Sequence, residues 1–268
     1  MRKHIKNFSV RSTITRQLTA VGCLLTAGMI ALAGCADTSR SEVKKEKRER
    51  VVNEENLHPN YIRPEDPTIE ELTYTWRSDD GAHDMIVMLS LEKEMYDYYR
   101  SLDRFLIPFD GQMSMYVNDL NNRELLRNIA DQIIRQCDEH GYDKEQYLQE
   151  AINFVQHMRY ELDSDTRGTE EYYKYPIETL YDGNGDCEDT SILLAGLLRE
   201  LGYDVIYIWY LDGHMAVGVK CEGYDGLSFE YEGEDYYYIE TTSSGWNIGE
   251  EPESDTRSLK YVFPLTEE

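Results

Sequence analysis

Tyr175-Pro-Ile-Glu-Thr-Leu-Tyr-Asp-Gly-Asn-Gly-Asp-Cys187-Glu-Asp-Thr-Ser-Ile-Leu-Leu-Ala-Gly-Leu-Leu-Arg-Glu-Leu-Gly202 changes character at its cysteine. Asp182 to Asp186 is rich in turn formers, whereas Ile192 to Leu201 is apolar on nearly every side and stops at Gly202, which predicts a buried helix. With Asp186 as N-cap and Asp189 as the third helical residue, an acidic version of the capping box, Cys187 takes the first helical position. Backbone N–H groups there lack intrahelical partners, so they favour a thiolate and can hold an oxyanion forming beside it. Glu188 and Asp189 oppose the effect by raising the thiol pKa, so a thiolate at Cys187 needs a cationic histidine close by.

Of six histidines, His214 alone stands beside a turn in a clear strand context. Tyr203 to Leu211 is a β-branched and aromatic run, Asp212-Gly213 is a two-residue hairpin signal, and His214-Met-Ala-Val-Gly-Val-Lys220 alternates. His214, Ala216 and Gly218 share one face and Met215, Val217 and Val219 the other, so the small-residue face is the one expected to admit a closely packed helix. An aromatic strand, Tyr236-Tyr-Tyr-Ile-Glu240-Thr-Thr242, follows a polar loop. Paired antiparallel with Lys220 opposite Glu234, it would set His214 opposite Glu240, a carboxylate able to orient the imidazole.

Gly185-Asp-Cys-Glu-Asp-Thr-Ser, Gly213-His-Met-Ala-Val-Gly-Val and Tyr238-Ile-Glu-Thr-Thr, followed by Gly245-Trp-Asn-Ile-Gly-Glu250, resemble the core of the transglutaminase-like superfamily of thiol enzymes. The resemblance runs from about Asn153 to Glu250. It implies an α+β fold with a papain-like core, in which the Cys-bearing helix packs on an antiparallel sheet and an α-helical region precedes it. It further implies Cys187 as nucleophile, His214 as base and acid, and Glu240 where the family usually has Asp. Gln156, in a helix upstream of the cysteine, matches the place of an oxyanion-hole Gln in papain-like relatives; a solvent-facing helix Gln is the other reading. Relatives include cross-linkers, peptidases, amide hydrolases and inactive members. Two functions therefore stand: a cysteine enzyme acting on amide bonds of peptides or proteins, with water favoured over an amine as acceptor, or a binding and scaffolding module without catalysis.

The start of the chain reads as an address. Arg2, Lys3, Lys6, Arg11 and Arg16 form a basic region, Leu18 to Ala33 is mostly small or apolar, and Leu32-Ala-Gly-Cys35 follows. This pattern resembles a bacterial lipoprotein signal covering residues 1–34, with a lipid on Cys35 and a location on the extracytoplasmic side of a membrane. Residues 35–56 hold the lipidated cysteine and a charged, flexible tether. Residues 57–142 read as an N-terminal hairpin with helices and residues 143–268 as the catalytic core. From Leu57 onward there are 16 basic and 46 acidic residues, a charge that repels nucleic acid and anionic lipid. Past Cys35 three cysteines remain, Cys137, Cys187 and Cys221, so at least one stays unpaired in an oxidising location; a Cys137–Cys221 bridge is arithmetically permitted.

Thr73 to Arg77 and Asp84 to Ser90 read as a hairpin, Leu91 to Phe105 as a helix, and Leu259 to Leu265 as a last strand. Two amphipathic helices are expected over Asn121 to Glu139 and Asp143 to Met158. Asp182-Gly-Asn-Gly-Asp186 does not fit the EF-hand pattern, which wants Gly and Glu where Cys187 and Leu193 stand; Asp182, Asn184 and Asp186 make either a weak calcium site or a turn that aims the helix. With no Cys-x-x-Cys, no His pair at ligand spacing and no phosphate-binding Gly loop, neither a metal nor any other cofactor is implied. Trp209 and Trp246 read as core before groove.

Overall fold

The computed structural model describes residues 61–104, 112–166, 168, 171–210, 213–252 and 259–265. The expected signal, Cys35 and the tether lie outside the described residues. The chain begins with the hairpin β1 (Ile69–Arg77) and β2 (Asp84–Glu92) and the helices α1 (Lys93–Ser101), α2 (Gln112–Asn118), α3 (Leu120–His140) and α4 (Lys144–Gln156). The short elements β3 (Arg159–Tyr160), α5 (Asp163–Thr166), α6 (Pro176–Asp182) and β4 (Asn184–Gly185) lead into α7 (Cys187–Glu200). Strands β5 (Val205–Tyr210), β6 (Met215–Val219), β7 (Ser228–Tyr231), β8 (Glu234–Ile239) and β9 (Leu259–Pro264) complete the fold. They form one antiparallel sheet in the order β7-β8-β6-β5-β9. Among the described residues no helix is long and apolar enough to cross a membrane.

Helix α7 is the axis of the molecule, buried without interruption from Cys187 to Leu198. Its leucines and isoleucine join one core with Met215, Val217 and Val219 of β6, Tyr207 of β5, and apolar residues of α2, α3, α4, α6 and the β1–β2 hairpin. The helix thus packs on the face carrying Met215, Val217 and Val219, not on the small-residue face expected from the alternation. Ala216 instead belongs to a second cluster with Ile206, Ile208, Phe229 and Tyr238. The small residue that permits close helix packing lies on the helix: a Cβ on Gly196 would stand 2.6 Å from Leu126 Cδ1 and 2.8 Å from Val117 Cγ1. Alternation identifies two faces, but which one a helix covers depends on where larger apolar groups offer more area to bury.

The hairpin spans Ile69–Arg77 and Asp84–Glu92, longer at the outer ends than its β-branched centres predict. Glu150 of α4 holds its tip, accepting Trp76 Nε1–H at 2.7 Å and the Asp79 amide at 2.8 Å. Gln132 and Gln136, one turn apart on α3, each accept from and donate to the main chain of Met88 and Ile86. The two amides occupy the outer edge of β2 as a neighbouring strand would, which protects it from edge-to-edge association. Caps explain the long helices: Asp119 accepts from the Asn121 and Asn122 amides at the start of α3, and Asp143 and Gln146 form a capping box on α4.

Candidate active site

At the mouth of α7 the Asp186 side chain accepts the Asp189 amide, so Cys187 occupies the first helical position, as the N-cap pattern predicts. The other half of the expected box is absent: Asp189 turns its carboxylate to the Lys174 amide at 2.7 Å. Gly185 makes room for it, because a Cβ there would lie 2.6 Å from Asp189 Cβ. Cys187 is 8% exposed, its Sγ donating to Glu188 Oε2 at 2.8 Å and lying 3.9 Å from the Gly213 carbonyl, with the Met215 amide directed at the sulfur. The helix mouth therefore rests on the turn that carries His214.

Strand β8 pairs with β6 two residues away from the expected register, with Val217 opposite Ile239 and Val219 opposite Tyr237. A two-residue shift preserves the face on which every side chain lies, and long side chains can still meet diagonally. His214 Nε2 and Glu240 Oε2 are 3.2 Å apart, and Lys220 Nζ and Glu234 Oε1 are 3.4 Å apart, so both expected pairs meet on the diagonal. The extra methylene of Glu over Asp suits that longer span. Glu240 is clamped on both oxygens: Oε1 accepts from the Thr241 and Thr242 amides and Thr242 Oγ1, while Oε2 accepts from Tyr238 OH at 2.8 Å. Burial would raise its pKa, but hydrogen bonding and charge from His214, with the Thr242 and Tyr238 hydroxyls, outweigh burial and hold it down at about 2. Nε2 is thus the ring nitrogen directed at Glu240.

The thiol is in a different state from the one the helix mouth alone would give. Burial, then Glu188, pushes the Cys187 pKa well above its ordinary value. Burial, then Asp186, raises Glu188 to about 8. A buried thiol and a buried carboxylate side by side are best held with protons on both.

Gln156 sits at the end of α4, 3% exposed, and its amide N–H groups donate to the carbonyls of Glu240 and Trp246 at 2.9 and 3.1 Å. It ties α4 to the segment after β8, so neither the oxyanion-hole role nor the solvent-facing position describes it here. The Cys187 amide, at the first position of α7, has no intrahelical acceptor, and the Met215 amide is a second donor at the sulfur. Cys137, Cys187 and Cys221 are all free thiols in this structure. Trp209 is in the core, while Trp246 is half-buried and donates from its indole to Ser243 Oγ.

In the loop before the cysteine, Asp182 and Asn184 both face Lys174 Nζ, at 3.5 and 2.9 Å, while Asp186 caps α7. Asp182 accepts from Tyr96 OH, and Asn184 accepts from Lys174 Nζ, which is 1% exposed. Three buried carboxylates instead converge, Asp163, Asp186 and Asp189, with oxygens within 4.8 Å of one another. Burial and Asp186 raise Asp163 to about 7, the two sharing a proton. Asp189 Oδ2 accepts no hydrogen bond and has Lys174 Nζ 3.5 Å away. An all-oxygen donor set of this kind suits a hard cation such as calcium. Sequence spacing could not reveal it, since Asp163 comes from the distant α5.

Residues 127–225 match the model of the transglutaminase-like superfamily. The core of this chain is transglutaminase-like. Among solved structures, calcium-bound LapG of Legionella pneumophila is 19% identical over 59% of this chain and 77% of that one, with a TM-score of 0.34. EGTA-treated LapG of the same organism is 20% identical over 53% and 80%, at 0.37, and a TGase is 12% identical over 62% and 42%, at 0.31. No curated protein matches the chain. Within the transglutaminase-like core the mixed helix and antiparallel-sheet architecture agrees with the expected fold class.

Proposed function

We propose that this chain is a cysteine enzyme acting on amide bonds of peptides or proteins, with Cys187 as nucleophile, His214 as base and acid and Glu240 as the carboxylate that orients the ring. The supporting observation is the 3.2 Å approach of His214 Nε2 to Glu240 Oε2, on a turn that touches the sulfur at the mouth of α7. Because the resting thiol is protonated, attack and deprotonation occur together. The S–H turns from Glu188 toward the ring, Sγ bonds to the carbonyl carbon as its proton passes to His214 Nδ1, and the oxyanion is met by the Cys187 amide. The imidazolium protonates the leaving amine, the C–N bond breaks, and a thioester remains. Water then attacks with His214 as base, releasing the acid and restoring the thiol. Hydrolysis is favoured over cross-linking because Cys187 is 8% exposed, which admits water more readily than a bulky amine.

Residues 1–34 and Cys35 complete the proposal: a removed signal and a lipid that holds the core on the extracytoplasmic side, supported by Leu32-Ala-Gly-Cys35 and the charged tether after it. The hydrogen bond from Cys187 to Glu188 favours a second reading, a scaffold whose thiol stays protonated. Mass spectrometry after iodoacetamide treatment near neutral pH separates the two. Cys187 should be alkylated well before Cys221, although Cys221 is the more exposed thiol, and His214→Ala should erase the preference. Equal rates at the two cysteines in the parent protein would leave only the scaffold.

A further inference from the structure

Strand β3 leads toward the candidate nucleophile and, among the described residues, is paired on one edge only. It pairs in parallel with β4, Arg159 opposite Asn184 and Tyr160 opposite Gly185, two residues before Cys187. The Arg159 amide donates to the Gly183 carbonyl and the Glu161 amide to the Gly185 carbonyl. Alternation in a strand then sends the amide and carbonyl of the intervening Tyr160 to the opposite edge, where β3 pairs with no other strand among the described residues. That edge is open: Tyr160 is 44% exposed and Leu162 49%. The Tyr160 hydroxyl lies within electrostatic reach of Cys187, Asp186, Glu188 and Glu240.

We infer that the outer edge of β3 is the substrate-docking strand, with the Tyr160 main chain holding one residue of an extended peptide by a donated and an accepted hydrogen bond. The proposal rests on the amide-bond chemistry assigned to Cys187 and adds the form in which substrate arrives. A free N–H and C=O pair on one residue matches the narrow pairing of antiparallel strands, so the occupant is an unfolded segment and not a helix. Exposed Tyr160 and Leu162 give it apolar contact.

The probe is a pool of acetylated tripeptidyl chloromethyl ketones, compared with the same warhead carrying only an acetamido group, on the full chain. The peptide pool should label Cys187 at least roughly tenfold faster, as two main-chain hydrogen bonds allow. Tyr160→Pro removes the donor and should abolish the acceleration by the peptide pool over the small warhead, both measured on the same variant. Because that variant can disturb folding, a second series keeps the parent protein and N-methylates each peptide amide in turn; methylation at one position should remove most of the acceleration. No acceleration by the pool, equal tolerance of N-methylation at every position, or an unaltered effect in a folded Tyr160→Pro would each overturn the docking edge. Failure of the enzymatic reading is distinct, because it shows in the small warhead, which would then label Cys187 no faster than Cys221.

Discussion

Replacing Glu240 by Gln tests the orienting carboxylate, and the structure sets the size of the effect. Glu240 is 1% exposed and falls from an ordinary 4.5 to about 2, a difference worth on the order of 3 kcal/mol to the folded state. The sign follows from a depressed folded pKa: the contribution is fully present above pH 4.5 and fades as pH falls toward 2. Three donors converge on Oε1, so the Gln carbonyl stays there and its amide turns to His214 and Tyr238. An amide donating to Nε2 forces the proton to Nδ1, the nitrogen that must receive the Cys187 proton. Glu240→Gln should therefore slow alkylation of Cys187 at pH 7 by about two to four orders of magnitude, in the range known for wrong-tautomer variants. Thermal melts should show a loss of roughly 6–12 °C at pH 7 that shrinks below pH 4. A folded variant whose Cys187 alkylation stays within twofold of the parent would refute the assigned role of Glu240, whatever happens to stability.

Glu188→Gln should speed alkylation of Cys187 above pH 8, where Glu188 otherwise ionises beside the sulfur; stopped time courses from pH 6 to 9 would show the parent rate rising less steeply than the variant's. Gly196→Ala should cost about 1–3 kcal/mol, read from chemical denaturation, because the added methyl meets Leu126 and Val117 at under 3 Å with core on every side. Calcium at a hundred times its dissociation constant should stabilise the parent by about 2.7 kcal/mol, seen as a raised melting temperature that EGTA reverses and Asp163→Asn lacks. An unchanged melting temperature in millimolar calcium would mean that Lys174 and shared protons satisfy the three carboxylates unaided.

How much of this was legible beforehand depended on whether a feature is written locally. The helices from Leu120 to His140 and from Lys144 to Gln156, the hairpin, and the cysteine at the mouth of α7 follow from caps, glycines and periodicity within one turn or one strand. The pairing of His214 with Glu240 was also legible, although the register proposed for it was two residues off, because a side-chain pattern of period two fixes the face and leaves even shifts degenerate. Gln156 was misread for a related reason: its spacing from the cysteine says nothing about the Glu240 and Trp246 carbonyls that receive its amide.

By itself the sequence determined the order of elements, the candidate sulfur, ring and carboxylate, and the strong negative charge of the chain beyond Leu57, since each rests on residue types and near neighbours. Only the folded arrangement decided which face of β6 the central helix covers, that Asp163 joins Asp186 and Asp189, that the thiol lies against Glu188, and that β3 pairs with β4 just before the cysteine. Those outcomes come from competition for burial and hydrogen-bond partners among segments far apart in the chain, a contest that no local pattern encodes.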